Sequence, residues 1–395
     1  MRLIIQPSVR DSAGKYQLRS ELIISPTIRH EFFFVVEESD YHPAMEADAG
    51  PYLLSQLMHA MRFGGSLHVE GALCPVLRKN AEAFMRRWIL WCPELFRWVD
   101  IVAEDALSAT RASFHRQGAI SCFSGGVDSF YSYARLGQDH GVPLRSLMFL
   151  HGFDIDLELS DYYEETARFY RERLMLRDVK IIKVRTNAYA SARKFQLNWG
   201  KIGHGIYLGA ALHLLGHDHA LACIPSSHSP DSPIFPWGSN PVTDPLLSSA
   251  GLPILHHNYL IPRFEKIAEL AQHEDCLDMV RVCWRMKGNQ LNCGGCPKCL
   301  ATLVALEVAS PDSWKRSFPS VTSIDSAIGH LRSCDLNRFQ IEQIEIARHH
   351  AVLRGRESLA EALANVISEK QRRKASYGLM LKEWLYEKKL DVHLR

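Results

Sequence analysis

Apolar and polar positions follow two different patterns along the chain, and the change falls near residue 118. Before it, strand-like apolar runs at 22–28 and 31–37 are followed by helical periodicity in PYLLSQLMHAMRF and VLRKNAEAFMRRWILW. This mixture predicts an N-terminal α+β domain at residues 1–115. The domain is expected to end where polar residues gather at 105–116.

From Gly118 onward, strand patterns alternate with helical ones. Strands are predicted for GAISCF, PLRSLMFLHG, VKIIKVRTN and ALACIPSS, and helices between them, one of which Ser160 would cap. Strands that alternate with helices of this length indicate a parallel sheet covered on both faces. We therefore predict an α/β domain at residues 116–305. Residues 306–395, which end in KEWLYEKKLDVHLR, are predicted as a C-terminal helical region.

The overall composition narrows the class of protein without naming a function. The chain has 395 residues, of which 47% are hydrophobic and 23% charged, as in ordinary soluble globular proteins. Its net charge of +2 gives no global electrostatic case for nucleic-acid binding. The apolar start MRLIIQ is too short for a signal peptide, and no span has the character of a membrane helix. We expect a cytoplasmic protein with no membrane association.

A short polar loop, SGGVDS at residues 124–129, lies between the first predicted strand of the α/β region and its helix. Backbone N–H groups and the helix dipole favour anions at such a junction, and two glycines allow a phosphate to come close. Ser124 and Ser129 can add hydroxyl donors, and Asp128 can position Mg²⁺. The Walker lysine and the GxGxxG pattern are absent. The loop is either an ordinary turn or a phosphate site of another kind.

Five of the ten cysteines fall within residues 276–299. Cys283, Cys293, Cys296 and Cys299 are separated by nine, two and two residues, which suits a tetrahedral Zn²⁺ site. A disulfide framework is not expected without a secretory signal, and a redox pair would need only two thiols. Structural zinc is therefore predicted at these four residues, with Cys276 as an alternative to Cys283.

The SGGVDS loop resembles the SGGxDS loop of the PP-loop ATP pyrophosphatase superfamily. The loop followed by the four cysteines resembles the 7-cyano-7-deazaguanine synthase (QueC-like) branch, over roughly residues 118–305. The resemblance implies a Rossmann-like, adenine-nucleotide hydrolase-type sheet with a zinc knuckle. It also implies an AMP-forming C–N ligase that uses ATP and Mg²⁺. The acid, 7-carboxy-7-deazaguanine, would form an acyl-adenylate with release of pyrophosphate, and the product would be an amide or a nitrile.

The resemblance also implies roles for individual residues. Catalysis is assigned to Asp128, Ser129, Lys201 and Lys266. Nucleotide binding is assigned to Phe123, Ser124, Gly125, Gly126, Val127, Asp128, Ser129, Leu150 and His151, with Gly152, Phe153 and Asp154 as weaker members of the adenine site. Substrate contacts are assigned to Asp244, Ser239, His204 and Arg263, with Trp237 beside them.

The sequence departs from the family where an Arg-Asn pair should open the helix after the third strand. This chain has NWGKIGHG at 198–205 instead, so Lys201 or His204 would have to supply the positive group. For several of these residues a purely structural role is an alternative interpretation. His204 could be a packing histidine, the segment with Asp244 could be a structured surface loop, and Arg263 with Lys266 could be solvated charges.

The regions that flank the core suggest a larger acceptor than ammonia. Our hypothesis is that the activated acyl group passes to an amine of a partner protein, as in the enlarged variants associated with bacterial anti-phage operons. One alternative is another PP-loop AMP-forming ligase or a nucleic-acid modification enzyme. HGFDIDLE lacks the cysteine expected of a tRNA-thiolating enzyme, and NAD or GMP synthetases would not carry the knuckle. A catalytically inactive nucleotide-binding scaffold is the other alternative.

Overall fold

The computed structural model describes residues 1–106, 117–227, 235–283, 285 and 290–372. The chain divides into two compact units, Met1–Pro262 and Arg263–Arg395. These units do not coincide with the predicted segment limits at 115 and 305. Whether those segments are separate functional domains stays a prediction. In the part of the chain that is described, no helix combines the length and the apolar character that crossing a bilayer requires.

The first unit contains a ten-stranded sheet with helices on both faces. Its strands are β1 Arg2–Arg10, β2 Lys15–Ser25, β3 Ile28–Glu37, β4 Gly65–Leu73, β5 Val99–Asp105, β6 Ala119–Phe123, β7 Leu144–His151, β8 Lys180–Thr186, β9 Leu221–Pro225 and β10 Ile254–His257. Their order in the sheet is β10-β9-β6-β7-β8-β3-β2-β1-β4-β5. Neighbours are parallel except along β8-β3-β2-β1, where three successive pairs are antiparallel.

The parallel half of the sheet is where the strand order changes direction. From β6 the chain proceeds to β7 and β8 on one side, then returns to β9 and β10 on the other. All five residues of β6 are buried, as expected for a strand covered on both faces. In open α/β sheets the crevice at such a switch point, beyond the carboxyl ends of the strands, is where ligands bind. The SGGVDS loop follows the carboxyl end of β6.

Helices of the first unit cover the sheet from opposite sides. They are α1 Ala44–Ala47, α2 Gly50–Met61, α3 Pro75–Trp91, α4 Val127–His140, α5 Ser160–Leu174, α6 Ala188–Lys194 and α7 His204–Leu215. Along β10, His257 bonds to Ser132 of α4 on one face, while its neighbour His256 bonds to Asp244 of a 3-10 turn on the other. α2 is buried along its whole length and packs chiefly against α7.

The predicted N-terminal and central segments share one sheet and one core. β3 pairs with β8 through Val35 and Arg185, so the antiparallel strands extend the parallel ones directly. Leu18 and Phe32 belong to the same buried cluster as Leu212 and Ile224. The α/β class and the four predicted strands of the central segment are confirmed.

Two details of the sequence prediction were wrong. The predicted strand at 22–28 crosses a hairpin turn, because β2 ends at Ser25 and β3 begins at Ile28. Ser160 is the first residue of α5 rather than its cap, and its hydroxyl donates to the carbonyl of Leu157 at 3.0 Å. A serine can bond backwards in this way because its short side chain competes for nearby backbone groups.

The second unit is helical in its described part. Its helices are α8 Arg263–Leu270, α9 Glu274–Leu277, α10 Pro297–Ala309, α11 Trp314–Ser317, α12 Ile324–Ser333 and α13 Arg338–Leu353, and residues 357–372 are also helical. α10 packs against α8, α11, α12 and α13. The helical character predicted for residues 306–395 is therefore confirmed as far as residue 372. The terminal KEWLYEKKLDVHLR lies outside the described residues.

Candidate functional site

The SGGVDS loop makes a tight connection between β6 and α4. Gly125 has φ +75°, and α4 begins at Val127 with Gly126 as its N-cap. The N–H of Gly126 donates to the Ser124 hydroxyl at 3.2 Å, and the Ser129 hydroxyl donates to the Gly126 carbonyl at 2.9 Å. The loop thus folds back on the first turn of a 14-residue helix, where the dipole is positive.

Gly125 is fixed by sterics as well as by its backbone angle. A Cβ built on Gly125 would lie 1.9 Å from the Tyr170 hydroxyl oxygen and 2.6 Å from its Cζ. Tyr170 is fully buried on α5 and packs edge-to-face against Phe123, with ring centroids 4.9 Å apart. Only glycine fits this position without displacing the ring of Tyr170.

The predicted nucleotide-binding residues lie together in this first unit. Phe123 and Val127 are buried, Asp128 is half-buried in the first turn of α4, and Ser129 is buried. Phe123 and Val127 therefore contribute packing. The groups that could contact a phosphate are backbone N–H groups at the start of α4 and the Ser124 hydroxyl, whereas the Asp128 carboxylate would need a bound cation between itself and the phosphate.

The end of β7 contributes a buried aromatic stack and a sharp turn. Leu150 and His151 are buried, and the His151 ring lies parallel to Tyr163 with centroids 4.4 Å apart. His151 Nε2 donates to the Asp156 carbonyl at 2.9 Å. Burial lowers the pKa of His151, so its imidazole is neutral near pH 7. Gly152 then turns the chain at φ +93°, where a Cβ would lie 1.9 Å from the Thr186 carbonyl.

A π-helical turn, Trp199–Gly203, precedes α7. The N–H of Lys201 donates to the Asn198 side chain at 2.9 Å, and the Lys201 side chain is exposed. His204 begins α7 and donates from Nδ1 to the Trp199 carbonyl at 3.0 Å. Burial lowers the pKa of His204, opposed by that hydrogen bond and by the charges of nearby carboxylates. π-helical turns of this kind often accompany functional sites.

Asp244 lies in the interior, on a 3-10 turn, with no exposed surface. Its Oδ2 accepts from the Ser239 hydroxyl at 2.6 Å and from His256 Nδ1 at 2.8 Å. Its Oδ1 accepts from the N–H of Asn240 at 3.2 Å. Asp244 and Ser239 are thus hydrogen-bonded to each other, and Asp244 is also bonded to His256 of β10. Residues 228–234 of the same Pro/Ser-rich stretch lie outside the described residues.

Sequence reasoning missed His256 and Asn240 as members of this network. Asn240 Oδ1 accepts from the N–H groups of Val242 and Thr243, at 2.9 and 3.0 Å, in an Asx-type turn. The Asn-Pro pair at 240–241 is a turn signal that could have identified Asn240. Nothing in the local sequence around His256 indicates a carboxylate partner twelve residues away.

Arg263 and Lys266 belong to the second compact unit, on α8. Arg263 is half-buried and Lys266 is buried. The predicted i, i+3 placement on one helix therefore holds, but Lys266 is an interior lysine rather than a solvated charge. Both stay predictions as site residues.

The four predicted metal ligands come together in the second unit. The Sγ atoms of Cys283, Cys293, Cys296 and Cys299 all lie within 4.8 Å of one another, with Cys293 and Cys299 4.0 Å apart. A tetrahedral ion with bonds of about 2.3 Å would hold its sulfurs about 3.8 Å apart. Cys276 is not part of this group. The cluster could hold a metal such as zinc.

Local structure around the cysteines suits a metal ligand set. Cys296 is the N-cap of α10, and its sulfur accepts from the N–H of Cys299 at 3.5 Å. The N–H of Arg285 donates to Cys283 Sγ at 3.3 Å. Such bonds stabilise thiolates. Gly294, at φ +66°, makes the sharp turn between the second and third cysteines.

Comparisons with protein-family models, curated proteins and solved structures return no match to this chain.

Proposed function

We propose that this protein is an ATP-dependent, AMP-forming ligase that activates a carboxylic acid. The observation that carries the proposal is the SGGVDS loop, which connects the carboxyl end of β6 to the N-terminus of α4 at the switch point of the strand order. The backbone N–H groups of the first turn of α4 and the positive end of the helix dipole make this position suited to an anion.

The order of the parallel strands supports a Rossmann-like reading of this half of the sheet. β8-β7-β6-β9-β10 corresponds to 3-2-1-4-5 when numbered along the chain, which is the order of doubly wound nucleotide-binding sheets. The PP-loop superfamily places its loop after the first of these strands. A fold alone does not define an activity, so the loop chemistry has to specify it.

The loop is suited to stabilising pyrophosphate as it leaves. In the proposed step, the carboxylate oxygen of the acid attacks the α-phosphorus of ATP and the bond to the β-phosphate oxygen breaks. Negative charge grows on the leaving group, and backbone N–H groups in the first turn of α4 would stabilise that charge by donating hydrogen bonds to it. Asp128 is the residue that would hold Mg²⁺, which supplies charge neutralisation when bound.

The particular acid and acceptor come from the resemblance of the loop and the cysteines to the 7-cyano-7-deazaguanine synthase branch. The acid is 7-carboxy-7-deazaguanine, activated as its acyl-adenylate. A nitrogen nucleophile then attacks the carbonyl carbon, an amide bond forms and AMP leaves. The flanking regions favour an amine of a partner protein as acceptor, in anti-phage defence. The four cysteines hold a structural Zn²⁺ in this proposal.

Pyrophosphate release tests the activity. The full chain, mixed with ATP, Mg²⁺ and 7-carboxy-7-deazaguanine, should release pyrophosphate, and Asp128→Asn should reduce the rate at least about a hundredfold. Asp161→Asn is the matched control, since Asp161 also lies in the first turn of a helix that follows a parallel strand. Its rate should be unchanged.

Two results would overturn the proposal. Wild-type protein that binds ATP but releases no pyrophosphate with any tested acid would indicate a scaffold. Equal rates for Asp128→Asn and Asp161→Asn would remove the loop from the chemistry. Mass spectrometry of the chain with co-expressed partners then distinguishes a protein acceptor from ammonia. A covalent adduct on a partner protein would support transfer to that protein. Efficient nitrile formation from ammonia alone would contradict it.

A further inference from the structure

A cavity of about 420 Å³ lies between α5 and the sheet of the first unit. One cross-strand row of side chains runs along it. The row consists of Val9, Gln17, Val35, Arg185 and His151, which pair in that order across β1, β2, β3, β8 and β7 and all line the cavity. The pairing of β3 with β8 therefore creates this cavity, and none of the described residues that line it belongs to the SGGVDS loop.

The next row on this face of the sheet is a network of paired charges. Lys183 Nζ contacts Glu37 Oε1 and Glu164 Oε2 of α5, each at 2.6 Å, and its side chain is only 11% exposed. Arg171 lies 3.6 Å from Glu37, and Lys15 lies 4.0 Å from Glu164. Because each carboxylate already has two cations beside it, these charges neutralise one another and need no ligand.

Arg185 and Gln17 distinguish the first row from this network. Arg185 is exposed and Gln17 is half-buried, and neither side chain makes a hydrogen bond or an ion pair with any residue that the structure describes. By contrast, His151 and Tyr163, which also line the cavity, already donate to backbone carbonyls at 2.9 and 2.8 Å. Arg185 and Gln17 are therefore the groups from which a ligand would accept hydrogen bonds.

Apolar surface lies next to these donors. Val35 lies between Gln17 and Arg185 in the row, and Val9, on the other side of Gln17, is 47% exposed. Phe33, two residues from Val35 on the same face of β3, is half-buried and also lines the cavity. A ligand that fits must therefore combine an acceptor group with an apolar body.

We propose that this cavity binds a small monocarboxylate with an apolar body, at a site separate from that of ATP. The guanidinium of Arg185 presents a planar pair of N–H donors that matches the two oxygens of a carboxylate, and the Gln17 amide adds another donor. The apolar body contacts Val9, Phe33 and Val35. This site does not rest on the proposed ligase activity.

The charges of the cavity favour a monoanion over a dianion. The charged side chains that line it are three acids and three bases, Asp11, Glu37, Glu164, Lys15, Lys183 and Arg185. A carboxylate bound at Arg185 adds one negative charge, whereas a phosphate monoester adds up to about two and is repelled more strongly by the acids nearby. We therefore expect a carboxylate rather than a phosphate.

Ligand-observed NMR titration of the full chain tests the site with 3-phenylpropanoate and its neutral amide, 3-phenylpropanamide. Wild type should bind the carboxylate at least about tenfold more tightly than the amide, because the amide lacks the charge that strengthens a hydrogen bond to Arg185. Arg185→Gln should remove this difference. Arg29→Gln is the matched control and should keep it, because Arg29 is an exposed arginine on the same face of β3 that pairs with Glu21 and does not line the cavity.

Two further variants check the geometry. Gln17→Glu places a negative charge where the carboxylate binds and should weaken the carboxylate without weakening the amide. Phe33→Ala should weaken both probes to the same extent, since it removes an apolar contact that both share. Because Arg185 is exposed and has no partner among the described residues, Arg185→Gln should unfold at the denaturant concentration of wild type, so its loss of binding would not reflect a loss of fold.

Several outcomes would overturn the site. The proposal is wrong if wild type binds neither probe, binds both equally, or binds phenyl phosphate more tightly than 3-phenylpropanoate. It is also wrong if Arg185→Gln binds the carboxylate as wild type does, or if Arg29→Gln weakens it as much. Saturating ATP and Mg²⁺ should leave the carboxylate bound, and displacement by ATP would assign the cavity to the nucleotide site instead. Since no readout depends on pyrophosphate release, this site and the proposed ligase activity can fail independently.

Discussion

At the scale of single residues, Gly125 is constrained both by its positive φ and by its packing against Tyr170. We predict that Gly125→Ala lowers the free energy of unfolding by more than the roughly 1–2 kcal/mol that a left-handed alanine costs, because its Cβ would also overlap Tyr170. It should also abolish acid-dependent pyrophosphate release. Denaturant unfolding and the release assay measure the two effects.

Gly141 provides the matched control for this prediction. It ends α4 at φ +66°, and a Cβ there would meet nothing within 4 Å. Gly141→Ala should therefore show the conformational cost alone and keep its activity. If the two variants lose equal stability, the contact with Tyr170 does not constrain the loop.

The burial and the hydrogen-bond partners of Asp244 could not be predicted from the sequence. The position of the loop at 124–129 between a strand and a helix was predictable, because the sequence on either side carries local strand and helix patterns. The burial of Asp244 depends on Ser239, on Asn240 and on His256 of β10, which only the folded chain brings together.

At the scale of elements, a buried polar network joins β3 to α6. Lys194 Nζ donates to His30 Nδ1 at 3.5 Å, and His30 Nε2 therefore donates to the Ser191 hydroxyl at 3.0 Å. His30 is 5% exposed. Because lysine can only donate, the neutral histidine is the form that fits. Burial, and secondarily the charge of Lys194, lowers the pKa of His30 to about 4.

A second part of the network joins α2 to α7. Gln56 donates to the His30 carbonyl at 3.3 Å and accepts from His59 Nδ1 at 2.8 Å. The Tyr207 hydroxyl then donates to His59 Nε2 at 2.7 Å. Burial lowers the pKa of His59 well below its ordinary value. Elements from the N-terminal and central segments are therefore held together by neutral histidines.

This network predicts that the folded chain loses stability in mildly acidic solution. His30 has a lower pKa in the folded chain than in the unfolded one, so the unfolded state binds more protons between about pH 6.5 and pH 4. Its contribution is present at pH 7 and is lost as pH falls through that window. We expect roughly 2 kcal/mol less unfolding free energy at pH 5 than at pH 7 from His30 alone.

Denaturant unfolding at the two pH values measures this effect. His30→Gln should unfold more easily at pH 7 and show a smaller difference between pH 7 and pH 5. His68→Gln removes an exposed histidine of β4 and should keep the wild-type difference. An identical pH difference in His30→Gln and wild type would contradict the assignment.

The type of an element could be predicted where its sequence pattern was local. The pairing of strands that are distant in the sequence could not. GAISCF predicted β6 because a run of buried residues between turn signals indicates a covered strand. Nothing in FFFVV indicated that β3 would pair with β8 about 150 residues later. That pairing joins the parallel strands β6 to β10 to the strands of the N-terminal segment in one ten-stranded sheet, and long-range strand pairing leaves no local signal.

At the scale of the whole molecule, the loop and the cysteine cluster fall in different compact units. The cluster lies in a unit whose helices pack around α10, which begins at Cys296 and Pro297. A metal bound by four cysteines from residues 283–299 would tie the segment before α10 to the helix itself. We therefore expect the metal to stabilise the unit at 263–395 and to leave the fold of the first unit unchanged.

Metal content and proteolysis test that expectation together. Elemental analysis of the purified chain should find one zinc per chain, and Cys293→Ser should lose most of it, because a thiolate ligand is removed. Cys276→Ser, which changes a buried thiol outside the group, should keep its zinc. In limited proteolysis, Cys293→Ser and chelator-treated wild type should be cut sooner within residues 263–395, while fragments covering 1–262 persist. Equal zinc content in both variants, or first cleavage in residues 1–262, would contradict a metal centre that stabilises the second unit.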